Sequence, residues 1–254
     1  MRRLLRDTGL LFGYSVSATI HNPVWVLFGL FQPILWLVLF APVLEAVANV
    51  PGFPAGRALV VFTPGLLVIL ALYGSLYVGF GLVADLRAGV LERLAVTPTN
   101  RLALVLGRVL RDVLVLVLQS LLLLALAWLF GLRADGPGML ASLALVGLIG
   151  LLTASFSYGL ALLVRDENGL SATLNFFSLP LLLLSGVTLP LALAPTWLRA
   201  IASVNPFYYA VEAARALFLG VWDAPAVTTG FAVLAVLAAG ALLWAARAFR
   251  RVGA

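Results

Sequence analysis

The chain has 254 residues, 63% of them hydrophobic and 10% charged, and it contains no Cys. Soluble domains are about half apolar and about a quarter charged, so this composition describes a membrane protein. It excludes disulfides, zinc–thiolate sites and iron–sulfur clusters. At about 20 apolar residues per crossing, it leaves room for six crossings and for no sizeable second domain.

The net charge of +6 comes from 16 Arg against ten acids, with no Lys. Without Lys the chain cannot hold a P-loop, whose phosphate site requires Gly-Lys-Ser/Thr. The basic excess suits anionic headgroups and the positive-inside rule rather than nucleic acid.

In chain order, residues 1–22 place Leu4, Leu5, Leu11 and Phe12 at helical spacing, with Arg2, Arg3, Arg6 and Asp7 at the start. This pattern predicts an amphipathic interfacial helix. It is not read as a cleavable signal, because the apolar stretch runs on through Pro23 without a small-residue cleavage site. His21 has no carboxylate neighbour in sequence and is read as structural or interfacial.

Six membrane helices are expected at 24–44, 60–84, 113–132, 140–164, 170–189 and 225–246. Pro51, Gly52, Pro54 and Arg57 separate the first two, and a charged stretch from Asp85 to Asp112 separates the second from the third. A polar hairpin around Arg133, Asp135, Gly136 and Pro137 precedes the fourth, and Arg165, Asp166 and Glu167 close it. Pro180, Pro190 and Pro195 leave too little uninterrupted chain after Asn168 for two helices and a turn. Residues 195–220 look helical, but Glu212 and Arg215 are costly at the bilayer centre. Short interfacial or re-entrant helices on the extracellular side are therefore expected there, before the sixth span. The fold class is thus an all-α polytopic membrane protein with six transmembrane helices, an N-terminal amphipathic interfacial helix and short re-entrant helices between spans five and six.

With six spans, one face collects Arg2, Arg3, Arg6, Arg87, Arg93, Arg101, Arg108, Arg111, Arg165, Arg247, Arg250 and Arg251. The other collects only Arg57, Arg133, Arg199 and Arg215. The positive-inside rule then puts both termini in the cytoplasm.

The cytoplasmic segment 85–101 alternates charged and apolar residues at spacings that suit a short amphipathic helix stopped by Pro98. Glu92 and Arg93 are placed to meet a soluble partner, while Leu86, Val90, Leu91 and Leu94 are placed to pack on the bundle. Glu45, Asp135, Glu212 and Asp223 form no recognisable catalytic pair. Glu212 and Arg215 lie three residues apart, so they either share a helix face and neutralise each other or are solvated separately.

Three stretches carry a family resemblance: Leu91-Glu-Arg-Leu-Ala-Val-Thr-Pro98, Leu184-Ser-Gly-Val-Thr-Leu-Pro190 and Asn205-Pro-Phe-Tyr-Tyr-Ala-Val-Glu-Ala-Ala-Arg215. In their order along the hydrophobic segments they resemble the membrane subunit of ABC-2 type exporters, in particular bacterial drug-export and nodulation-type permeases. The resemblance spans nearly the whole chain. It implies a half-transporter in the bacterial inner membrane that pairs with a second copy of itself and recruits two ABC ATP-binding subunits. ATP and Mg would be bound in those subunits, and this chain would bind no cofactor or metal and catalyse nothing. The resemblance further implies that Asp85, Arg87, Glu92, Arg93, Thr97 and Pro98 belong to the ATPase-coupling element. Likewise, Ser185, Gly186, Pro190, Asn205, Pro206, Tyr208, Tyr209, Glu212 and Arg215 would belong to an extracellular gate or re-entrant region.

The paucity of charge in the predicted bundle favours a hydrophobic or amphipathic cargo such as a drug-like molecule, a lipid or a lipid-linked glycan. An ion-gradient-driven secondary transporter is the alternative of a different class. The predicted central spans hold no acidic residue that would serve a proton relay, which counts against it. A membrane-embedded enzyme would need a metal cluster or an acid/base pair that the sequence does not offer.

Overall fold

A computed structural model describes residues 2–21, 29–39, 58–90, 101–187 and 194–250. Among the described residues all regular structure is helical: α1 Arg2–His21, α2 Gly29–Leu39, α3 Ala58–Leu76, α4 Gly79–Arg87, α5 Arg101–Leu129, α6 Gly136–Val164, α7 Glu167–Leu183, α8 Thr196–Ala202, α9 Pro206–Phe218 and α10 Pro225–Arg250. A turn at Tyr77-Val78 joins α3 to α4, and the two form one apolar segment, Leu59–Arg87.

Four helical segments among the described residues are long and apolar enough to cross a membrane: Leu59–Arg87, Leu102–Leu129, Gly136–Val164 and Pro225–Phe249. This corrects the expected count of six. The fifth expected span, 170–189, meets a 17-residue helix, α7, that starts at the Asp166 cap and ends at Leu183. At 1.5 Å per residue it is about 26 Å long, short of a hydrocarbon core of about 30 Å. Hydropathy had counted apolar residues past its end, where Ser185 and Gly186 (φ +72°) turn the chain out of the helix. For the first expected span, the described part is the 11-residue α2 alone; residues 24–28 and 40–44 lie outside the described residues.

The re-entrant expectation is corrected as well. Residues 196–218 form two short helices, of which α9 lies against α3, α6 and α10 as an element of the helical core. No re-entrant loop is found among the described residues.

Helix α6 is the hub of the packing and touches α3, α4, α5, α7, α9 and α10. It can do so because small residues let its neighbours approach. A Cβ on Gly150 would strike Leu116 of α5, and one on Gly159 would strike the Trp244 ring of α10. Helix α3 is buried from Phe62 to Leu72 on every side, as expected of a helix with no polar face. By contrast α10 leaves most of its apolar surface exposed, including Val236 and Leu243. Two apolar cores result: one around Leu66, Leu70, Leu123, Ile149 and Leu217, and one around Leu82, Val109, Tyr158 and Leu170.

Helix α1 packs along α5, crossing where a Cβ on Gly107 would come within 2.8 Å of Leu11 Cβ. Leu5, Leu10 and Tyr14 are exposed along α1. His21 Nδ1 donates to the Ser17 carbonyl at 2.7 Å, a local bond within the helix.

Candidate functional site

The sequence-selected residues fall at opposite ends of the bundle. One end is built around α9. Asn205 caps this helix: its Oδ1 accepts from Phe207 N at 3.0 Å, and Pro206 follows at the first helical position. The same side chain reaches outside its own helix, since Nδ2 donates to the Leu181 carbonyl of α7 at 2.7 Å. Tyr208 and Tyr209 stand edge to face at 5.3 Å, and the Tyr209 hydroxyl donates to the Ser203 carbonyl at 2.8 Å. Burial, and then the nearby Glu212 carboxylate, push the Tyr208 hydroxyl above its ordinary range.

Arg215 is the centre of this end. It is 8% exposed and uses all three guanidinium nitrogens. Nη1 donates to Glu212 Oε1 at 2.9 Å, Nη2 to the Gly186 carbonyl at 2.8 Å and the Val187 carbonyl at 3.3 Å, and Nε to the Val61 carbonyl at 3.3 Å. The two residues share a helix face, which settles the choice left open by their spacing. Burial lowers the Arg215 pKa, and the Glu212 carboxylate offsets part of that effect.

These carbonyls are available for physical reasons. Gly186 and Val187 lie just past the end of α7, where carbonyls lack helical partners. A Cβ on Gly65 would come within 2.8 Å of the Val187 carbonyl oxygen, so only glycine lets α3 approach this turn. Ser185 is buried, and its Oγ donates to the Leu182 carbonyl at 2.6 Å. The structure therefore brings together Ser185, Gly186, Asn205, Pro206, Tyr208, Tyr209, Glu212 and Arg215. Pro190 lies outside the described residues.

At the other end, Asp85 and Arg87 occupy the last turn of α4. Asp85 Oδ2 lies 2.7 Å from Arg108 Nη2 of α5. Arg87 reaches the start of α7, at 3.3 Å from Asp166 Oδ1 and 2.9 Å from Glu167 Oε1. Asp166 also caps α7 by accepting from Gly169 N at 2.9 Å. Gly89, at φ +68°, ends the α4 turn in a conformation that favours glycine. Glu92, Arg93, Thr97 and Pro98 lie outside the described residues.

Sequence reasoning missed a buried group between the two ends. Helix α5 begins at Arg101 rather than after Asp112, so Arg101, Arg108, Arg111 and Asp112 all lie on a helix that qualifies as a crossing. Asp112 is 4% exposed; its Oδ1 lies 3.1 Å from Arg111 Nη1, and its Oδ2 accepts from the Tyr158 hydroxyl of α6 at 2.6 Å. The expectation that the central spans hold no acid thus differs from the structure. The signal was present: Leu104, Arg108 and Asp112 continue, at four-residue spacing, into Leu116 and Ser120, all of them on one face.

Among the described residues no three His, Asp or Glu side chains converge as a metal site would require. A shallow apolar groove of about 450 Å³ follows the α1–α5 seam between Leu5, Thr8 and Phe12 and Leu110, Leu114 and Val117.

A family model described as "ABC-2 type transporter" matches residues 7–219. The protein ycf38 of Cyanophora paradoxa, named as a transport permease, is 29% identical over 200 residues, which is 78% of this chain and 69% of that protein. Its namesake from Pyropia yezoensis is 27% identical over 226 residues, 87% of this chain and 77% of the relative. The daunorubicin resistance ABC transporter permease protein DrrB1 of Streptomyces coeruleorubidus is 27% identical over 215 residues, with 82% and 75% covered.

Proposed function

The chain belongs to the ABC-2 type transporter family, and from that premise we propose that it forms half of an ATP-driven exporter for hydrophobic or amphipathic cargo. It is a non-catalytic, multi-pass membrane permease component of an ABC-type transport system and moves a substrate across a membrane. In the proposed assembly, two copies of this chain pair in the membrane and each engages one separately encoded ATP-binding subunit. ATP and Mg act in that subunit. Nucleotide binding there changes which arrangement of the membrane bundles is favoured, and hydrolysis resets it.

The family match along residues 7–219 carries this reading. Two features support its orientation and cargo. Arg87 and Arg165 stand at the end of the bundle where α4 and α6 finish and α7 begins, and Arg108 pairs there with Asp85, which favours that end as cytoplasmic. The segment 85–101, with Glu92, Arg93, Thr97 and Pro98, is then the docking element for the ATPase. The residues around Arg215 form the extracellular end, where they close the exit path. The daunorubicin resistance relative supports a drug-like molecule as a cargo class, alongside lipids and lipid-linked glycans.

The test is co-purification with an ABC ATP-binding subunit from the same organism, followed by ATPase assays in proteoliposomes. Stable association and permease-dependent stimulation of ATP hydrolysis are expected. A chain that neither binds the ATPase nor changes its turnover, yet moves substrate on an ion gradient alone, would sink the proposal.

A further inference from the structure

Two polar links meet on α5, Asp85–Arg108 from α4 and Arg111–Asp112–Tyr158 toward α6, and together they join three helices. Asp85 closes α4, beside the segment assigned to ATPase docking; Arg108, Arg111 and Asp112 lie on α5; Tyr158 lies on α6, the helix that touches nearly every other. A further link runs in parallel, since Gly79 N at the start of α4 donates to Ser157 Oγ at 3.0 Å. The cost of this arrangement signals a role. A carboxylate 4% exposed inside a membrane-crossing helix is expensive, and a Leu in its place would pack with neighbouring Val109 and Leu116.

We infer that Asp112 and Tyr158 are positioning residues for transport: they fix α5 against α6, so that displacement of the α4 end, received through Asp85 and Arg108, moves the hub helix. The inference rests on the reading of residues 85–101 as the ATPase-docking element. Neither residue meets cargo or nucleotide. The geometry suits a device with two arrangements, because short charge-assisted bonds are either made or broken, whereas apolar contacts slide. Arg111 adds to this, as its Nε is buried without a partner among the described residues while its Nη1 holds Asp112. A donor so placed is free to engage when α5 shifts.

The test uses the full permease with its ATPase in proteoliposomes and normalises each readout to folded protein. Tyr158→Phe keeps the ring and removes the hydroxyl. Asp85→Arg and Arg108→Asp break the outer pair singly, and the double variant restores it in reverse. Expected are a fall of about 2- to 30-fold in permease-stimulated ATP hydrolysis per bound ATPase for each single variant and recovery in the charge-reversed double variant, with ATPase association unchanged in Tyr158→Phe and Arg108→Asp. Wild-type stimulation in Tyr158→Phe, or a double variant no better than the singles, overturns the inference while leaving the ATPase reading intact. Failure of the wild-type chain itself to bind the ATPase overturns the reading beneath it. If Tyr158→Phe does not fold, the charge-reversal series alone decides.

Discussion

Arg215 holds Glu212 one helical turn away at 2.9 Å while its other nitrogens reach the carbonyls of Gly186, Val187 and Val61. One buried cation thereby ties α9 to the end of α7 and the start of α3. Removing it should leave the Glu212 charge poorly compensated and the Gly186 and Val187 carbonyls, past the end of α7, without this donor. Arg215→Ala is therefore expected to destabilise by about 3–5 kcal/mol. Glu212 is about one-third exposed and solvent screens it, so Glu212→Gln should cost about 1 kcal/mol or less. Arg215→Lys keeps the charge but not the fork and should fall between them. Thermal melting of the detergent-purified variants orders the three; a Glu212→Gln loss as large as that of Arg215→Ala would show the pair itself, not the carbonyl bonds, to be decisive.

Asn205 does two separable jobs, and substitution can divide them. Its Oδ1 caps α9 and its Nδ2 donates to Leu181. Asn205→Ser keeps a capping oxygen and loses only the donor to Leu181, at an expected cost of about 1 kcal/mol. Asn205→Ala loses both, and about 2 kcal/mol is expected. Equal melting temperatures for the two variants would mean that the link to α7 carries all the stability.

Much of this architecture could be read from the chain itself. The charge-free runs 58–84 and 225–246 locate two of the four long apolar segments, and the spacing of Glu212 and Arg215 admits their pairing without deciding it. The family, too, was recognisable in Leu184–Pro190 and Asn205–Arg215. Charge does not by itself mark a helix boundary in this chain. Asp112 and its arginines sit inside α5 because the adjacent Arg111 and Tyr158 of α6 satisfy the acid and Asp85 pairs with Arg108, and both Tyr158 and Asp85 lie far away in sequence. Conversely, the apolar run is longer than α7, because the backbone leaves the helix at Ser185 and Gly186. Nor does hydropathy show that α9 is buried among three helices, since that depends on glycines on its neighbours.

Those glycines give a sharp contrast. A Cβ on Gly230 of α10 would come within 2.7 Å of Ala213 Cβ and 2.8 Å of the Tyr209 carbonyl oxygen, both on α9. Backbone cannot give way as a flexible side chain can, so Gly230→Ala should cost about 1–3 kcal/mol by overpacking. Gly240, on the same helix, has open space where its Cβ would stand. Gly240→Ala should leave the melting temperature unchanged or raise it slightly. Equal effects at the two positions would remove the claim that α9 docks on α10 through Gly230.

Arg87 separates stability from partner binding. Its ion pairs with Asp166 and Glu167 are good in geometry, but its side chain is 54% exposed, and such pairs contribute little. Arg87→Ala should therefore change stability by less than about 1 kcal/mol. The side chain nonetheless stands beside the segment proposed to dock the ATP-binding subunit, and it orients the end of α4 against α7. An unchanged melting temperature together with weaker ATPase association is expected, and the remaining association should depend less on ionic strength than that of the wild type. Binding measured across a salt series checks both parts. Association and salt dependence identical to wild type would remove Arg87 from the docking surface and leave it as an exposed pair at the end of α4.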